Sequence, residues 1–194
     1  EGGILVNASG QRFTNEHEGY SEQAHRVMMQ PDGLAWDIYD QRLHELGKEF
    51  EDYVRAEKMG AVKMAASIEE LSSMLGLPQD MLVQTLAECR QLRKEPSADP
   101  LGRDFSTKPS LEPPFYGIKV TGSLFHTQGG LTVNTEARVL RQDGSAFVNL
   151  FAAGGAAAGL SGSADWGYLS GNGLLTAVAL GRIAGLTAAK LPEV

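Results

Sequence analysis

The sequence predicts an α+β fold in two parts: a cap of mixed strands and helices, then a β-rich segment closed by a C-terminal helix. Three observations carry that reading. Short runs of β formers alternate with helix-period segments through the first half. A stretch rich in Pro, Ser and charge, EPSADPLGRDFSTKPSLEPP, then interrupts the pattern as a loop or a domain boundary. Beyond it, apolar strands run into glycines, and a glycine-rich turn opens a long apolar helix. The crossover is expected near Pro113-Pro114, giving a cap over 1–113 and a second part over 114–194.

Taken in order, Gly3 to Asn7 is a short apolar strand. Asn7 to Gly10 is a turn, and Arg12 and Phe13 begin a return strand, so residues 3–14 read as a hairpin. Ser21 to Gln30 has helical spacing, with Ala24, Val27 and Met28 on one face. Pro31 to Gly33 is a turn, and Leu34 to Tyr39 is a strand of strong β formers. Asp40 can cap a short helix through Leu46. Ser67 and Glu70 make a capping box before Leu71, and Gly76 ends that helix. Pro78 suits a first helical turn, after which Leu82, Leu86, Cys89 and Arg93 share a face. The two helices read as an antiparallel hairpin.

Strands follow at Phe115 to Phe125, Leu131 to Asn134, Ala137 to Leu140 and Phe147 to Ala153, with Asp143 and Gly144 as a hairpin turn. The last helix spans Gly171 to Lys190.

Composition narrows the function. The chain has 194 residues, 42% of them apolar, enough for a core. With 17 basic and 24 acidic residues the net charge is −7, and no basic stripe is present, which argues against nucleic acid. Gly171 to Leu191 is the nearest approach to a membrane span, but Arg182 and its glycines interrupt it. Cys89 is alone, so no disulfide framework exists, and a packed thiol is expected. With no secretory signal, the reducing cytoplasm is the default location. No metal site is expected. The chain starts at Glu1 and enters a strand at once, the expectation being a chain cut from something longer.

The order GGILVN…GQRFTNE, PPFYGIKV, HTQGGL, LFAAGG and YLSGNGLLTAVALGRIAG resembles FAD-dependent oxidoreductases of the fumarate reductase/succinate dehydrogenase flavoprotein type, a group that includes the ketosteroid dehydrogenases. The resemblance covers nearly the whole chain. The family's upstream G-x-G-x-x-G is absent here, which implies that this is the C-terminal portion: most of the capping domain, then the returning part of the FAD domain. The upstream FAD-binding half of the same protein is the implied partner.

The resemblance implies FAD contacts at Gly129, Gly130, Gly154, Gly155, Ser170, Gly171, Asn172, Gly173 and Leu174. In the family the helix opened by SGNG points its N-terminus at the pyrimidine end of the flavin. A positive helix end favours the negative charge of reduced flavin. Glycine and alanine runs also serve close helix packing, so the turn alone is compatible with both. His126 matches the family His that holds a substrate carboxylate. A strand-end His bonded to backbone is its plain structural reading. His17, His25 and His44 lack such context and are expected at the surface or as supporting groups. Arg12 and Glu16 are expected in a hinge or salt bridge, and Arg103 in a structural role.

Three departures shape the expected substrate. The family's arginine after R-F-x-N-E is Tyr20 here, and its carboxylate-clamping arginine before L-x-G-N is Tyr168. Tyrosine lacks the two-pronged carboxylate recognition of arginine, so a dicarboxylate is disfavoured. The ketosteroid dehydrogenases place a Tyr near the same glycine turn, where phenol and backbone N–H polarise a ketone. A base then takes a proton while flavin N5 takes hydride from the next carbon. The resemblance thus implies Tyr168 as polariser, His126 as orienting group and Tyr20 as a candidate proton donor or acceptor. Trp166 either lines an apolar pocket or packs. The third departure is Gly155, where the family carries a cofactor-binding Glu. The small-molecule substrate is therefore a ketone or an unsaturated acid. One alternative is a fumarate-reductase-like enzyme for another unsaturated acid. The other is a non-catalytic, cap-like binding module that never meets flavin.

Overall fold

The computed structural model describes residues 1–95, 99–124, 128–162, 164 and 168–192. The chain divides into two compact units, Glu1–Ser123 and Leu124–Val194. Together they give the expected α+β class, with open sheets and flanking helices.

The first unit is built on a four-stranded antiparallel sheet. Its strands are β1 (Ile4–Val6), β2 (Leu34–Asp40), β3 (Val62–Ala65) and β4 (Phe115–Thr121), in the order β1-β2-β4-β3. Five helices surround it: α1 (Tyr20–Met28), α2 (Gln41–Gly47), α3 (Glu51–Lys58), α4 (Ile68–Leu75) and α5 (Gln79–Leu92). Alternation along β1 and β2 sends Ile4, Val6, Trp36 and Ile38 to one face. There they meet Leu71, Leu82, Leu86 and Phe115 in one buried cluster. Cys89 is part of it, and burial pushes its thiol up to about 11, so it is a packing group.

Local chemistry sets several boundaries. Asp40 caps α2 by accepting from Leu43 N at 3.4 Å. Ser67 caps α4 by accepting from Glu70 N at 3.2 Å, while Glu70 reaches back to Ala66 N at 3.1 Å. Gly76, at φ 70°, ends α4 in the left-handed conformation that glycine adopts without penalty.

One expectation is corrected. Residues 3–14 do not form an extended hairpin: the return segment meets β1 through an isolated Val6–Arg12 bridge, while β1 pairs along its length with β2 on its other edge. β4 precedes the point, after Ser123, where the two compact units divide. β4 hydrogen-bonds to β2 along its whole length and to β3, so it is an inner strand of the first unit.

The second unit holds the hairpin of β5 (Arg138–Leu140) and β6 (Ala146–Phe151) and the helix α6 (Asn172–Ala188). Leu131 to Asn134, expected as a strand, contributes isolated bridges, Leu131 to Ala157 and Val133 to Val139. The core is small: Val139, Ala152 and Ala157, with Val133, Phe147 and Leu180 against it. Within α6 only Asn172 and Thr176 are buried, whereas Leu174 is 79% and Val178 72% exposed. No helix among the described residues is long and apolar enough to cross a membrane.

Candidate functional site

The N-terminus of α6 is assembled from small residues. Gly171, at φ 81°, turns the chain into the helix and brings no side-chain cap. Leu175 N bonds to Gly171 O at 3.0 Å and Asn172 N to Leu169 O at 3.2 Å. The N–H groups of Gly173 and Leu174 find no acceptor among the described residues. Among the described residues, a Cβ at Gly171 or Gly173 would meet nothing within 4 Å. Ser170, Gly171, Gly173 and Leu174 are all exposed.

Asn172 is different. Its side chain turns inward: Nδ2 donates to Ser161 Oγ and, at 2.8 Å, to Leu169 O. Ser161 is buried, and its Oγ also accepts from Leu169 N at 2.9 Å. Ser161 and Asn172 therefore fix the turn that carries the half-buried Tyr168 into α6. Sequence reasoning missed Ser161. The signal was the serine of GLSGS, whose partners lie eight and eleven positions away.

The remaining glycines divide by cause. A Cβ on Gly130 would fall 2.4 Å from the carbonyl carbon of Ala157, where Leu131 and Ala156–Ala158 exchange backbone bonds. Gly154, at φ 56°, lies against Ala177 of α6, where a Cβ would come to 3.1 Å. Close backbone approach thus accounts for both. Gly129 and Gly155 are exposed, and a Cβ on Gly155 would meet nothing within 4 Å among the described residues. His126 and Trp166 lie outside the described residues.

In the first unit, Tyr20 is the opening residue of α1, follows Gly19, and is 65% exposed. The loop before it is anchored by a charge cluster. Arg12 pairs with Glu16 at 2.7 Å and with Asp99 at 3.2 Å, and Arg103 pairs with Glu16 at 3.0 Å. All four side chains are at most 8% exposed. Phe105 lies between the two guanidiniums, 4.6 Å from that of Arg12 and 4.4 Å from that of Arg103. Burial pushes the Asp99 carboxyl upward, but bonds from Arg12 and from Arg103 N–H hold it below the usual range. Gln23 Nε2 donates to Asn15 O at 2.5 Å, tying α1 to the same loop. These residues anchor the loop ahead of α1, Arg12 and Glu16 forming a salt bridge and Arg103 serving a structural role.

His17 and His25 are exposed, but His44 is buried. Its Nδ1 lies 2.8 Å from Tyr53 Oη and its Nε2 3.5 Å from Glu57, while Tyr53 Oη lies 2.7 Å from Tyr39 Oη.

A family model described as FAD binding domain matches residues 1–174. The chain is 30% identical to the probable fumarate reductase Ifc3 of Shewanella frigidimarina, over 97% of this chain and 31% of that protein. It is 30% identical to a 3-oxosteroid 1-dehydrogenase of Mycobacterium tuberculosis, over 83% of this chain and 34% of that one. Among solved structures, the open conformation of a flavocytochrome c3 fumarate reductase superposes with a TM-score of 0.72 at 28% identity, covering 97% of this chain and 32% of that one. The chain thus spans about a third of the length of these relatives.

Proposed function

The chain belongs to the FAD-binding domain family, and from that premise we propose that it supplies the cap and the returning FAD-contacting segment of an oxidoreductase acting on a CH–CH bond beside a carbonyl. The observation that carries this reading is the bare, glycine-opened N-terminus of α6, with Tyr168 directly ahead of it in the chain. FAD, when bound, supplies hydride exchange with the substrate carbon.

The donor set fits such a group. The free N–H groups of Gly173 and Leu174, at the positive end of a 17-residue helix, favour negative charge on whatever lies against them. Gly171 and Gly173 let that group reach the backbone. Gly155, in place of the family's Glu, removes one contact, so more of the hold falls on the turn at α6.

The Tyr168 phenol donates a hydrogen bond to the substrate carbonyl and draws charge away from the neighbouring C–H. Tyr20, on the separate first unit, gives or takes the proton at that carbon. His126 orients the substrate. The exposed apolar face of α6, including Leu174 and Val178, is the surface the upstream FAD-binding half covers.

A second reading, reduction of an unsaturated acid, is favoured by the wider match to a fumarate reductase, 97% of the chain against 83% for the steroid enzyme. Tyrosines at both arginine positions weigh against it. The deciding experiment uses the longer protein with FAD bound, offered a 3-oxosteroid and fumarate in turn. Turnover of the ketone, lost in Tyr168→Phe with flavin retained, supports the first reading. Fumarate turnover indifferent to Tyr168 overturns it.

A further inference from the structure

One cavity of the first unit has a chemistry that the flavin reading does not use. It lies over the sheet face carrying Leu5, Asp37 and Ile118, and is walled by α2 and the start of α3; its volume is about 390 Å³. That is the size of a small-molecule pocket.

Asp37 is its anomaly. In the sheet register it sits between Leu5 on β1 and Ile118 on β4, so a carboxylate occupies a position flanked by aliphatic neighbours. It makes no hydrogen bond or ion pair among the described residues. Burial pushes its carboxyl up to about 6, and the negative Glu16 adds to that, against the pull of Arg103. An ionised group left so costs stability unless a partner arrives. Gly3 keeps it accessible: a Cβ there would lie 3.1 Å from Asp37 Oδ1.

The other walls define the partner. Among the described residues, the charged side chains that line it are all acidic, namely Glu1, Glu16 and Asp37. Glu16 already has two guanidinium partners, which leaves Asp37 to receive a new one. Phe50, Tyr39 and Tyr53 present aromatic surface, and Phe50 at the rim is 62% exposed. Aromatic faces beside a half-buried carboxylate attract an organic ammonium, whose charge pairs with the acid and whose body covers the rings. A carboxylate ligand would be repelled by Asp37.

We propose that this cavity is a binding site for a small organic cation with an apolar body, its ammonium on Asp37 and its body against Phe50 and Tyr53. The site stands on the first unit alone and does not depend on the flavin reading.

The test is calorimetric titration of the longer, FAD-containing protein with 2-phenylethylamine, 2-phenylethanol and 3-phenylpropanoate. The expected result is saturable binding of the amine, weaker binding of the alcohol and none of the acid. Asp37→Asn should weaken the amine by about tenfold or more, and Phe50→Ala, a change at the exposed rim, by severalfold. No saturable binding of the amine, equal binding by Asp37→Asn, or comparable binding of 3-phenylpropanoate would overturn the proposal.

Discussion

Arg12 grips Glu16 with two parallel hydrogen bonds, Nε to Oε1 at 2.8 Å and Nη2 to Oε2 at 2.7 Å. Fork-to-fork pairing of this kind fixes direction as well as distance. It matters here because Glu16 also receives Arg103 and Leu5 N, so one carboxylate ties the loop ahead of α1 to β1 and to the loop after α5. Glu16→Gln leaves two buried guanidiniums with one anion fewer. The expected cost is about 3–5 kcal/mol, read as a fall in the urea midpoint at unchanged slope. A change within about 0.5 kcal/mol would remove the cluster from the account of how the loop ahead of α1 is anchored.

Asp37 carries a pH dependence of unusual sign. Its carboxyl moves from 3.8 up to about 6 on folding, so between those values the folded chain binds more protons than the unfolded one. Stability should therefore fall as pH rises from about 4 through about 6, by at most about 3 kcal/mol. Asp99, held below its ordinary value, acts oppositely: its contribution is present above the ordinary value and fades as pH falls through the lowered one. Urea midpoints of wild type and Asp37→Asn across this range separate the two. The variant should be the more stable at neutral pH and should lose the decline; a decline that persists unchanged in the variant would assign it to other groups.

Ser161 is a positioning residue. Ser161→Ala removes the acceptor used by Asn172 Nδ2 and Leu169 N, loosening the turn that carries Tyr168. In the longer enzyme kcat should fall about tenfold with little change in KM, and Ser161→Thr should restore part of it. A loss of stability with kcat intact would confine Ser161 to folding.

Tyr168→Phe deletes one hydroxyl and little volume. If the phenol polarises the carbonyl, kcat should drop by about a hundredfold or more while bound flavin keeps its absorbance. Tyr20→Phe should drop kcat too, with a changed pH profile, because the proton would have to travel by another route. Wild-type pH dependence in Tyr20→Phe would take Tyr20 out of the mechanism.

What was legible in the sequence was local. Asp40, Ser67 and Gly76 mark helix ends because a cap needs only residues within one turn. Gly171 and its neighbours were legible as a helix opening for the same reason. The pairing of β4 was not, because its partner β2 is far upstream. β3, only Val62–Ala65, has a polar Lys63 inside it and too few residues to show a period. Arg12, Glu16 and Arg103 were seen separately, and Asp99 was missed, since it stands 87 positions from Arg12. His44 was expected at the surface or in support because nothing nearby in sequence announces Tyr53 and Glu57 as its partners. The pairing of Ser161 with Asn172 hid behind a glycine run that reads equally well as packing.

The central claim is chemical, and one measurement tests it most directly. The longer protein, with FAD bound and oxygen excluded, is mixed with a saturated 3-oxosteroid and the oxidised-flavin absorbance is followed; the reduced enzyme is then offered fumarate. The expected result is bleaching by the ketone, at least about a hundredfold slower in Tyr168→Phe, and no reoxidation by fumarate. Reoxidation by fumarate without any response to the ketone would contradict the account and return the site to unsaturated acids.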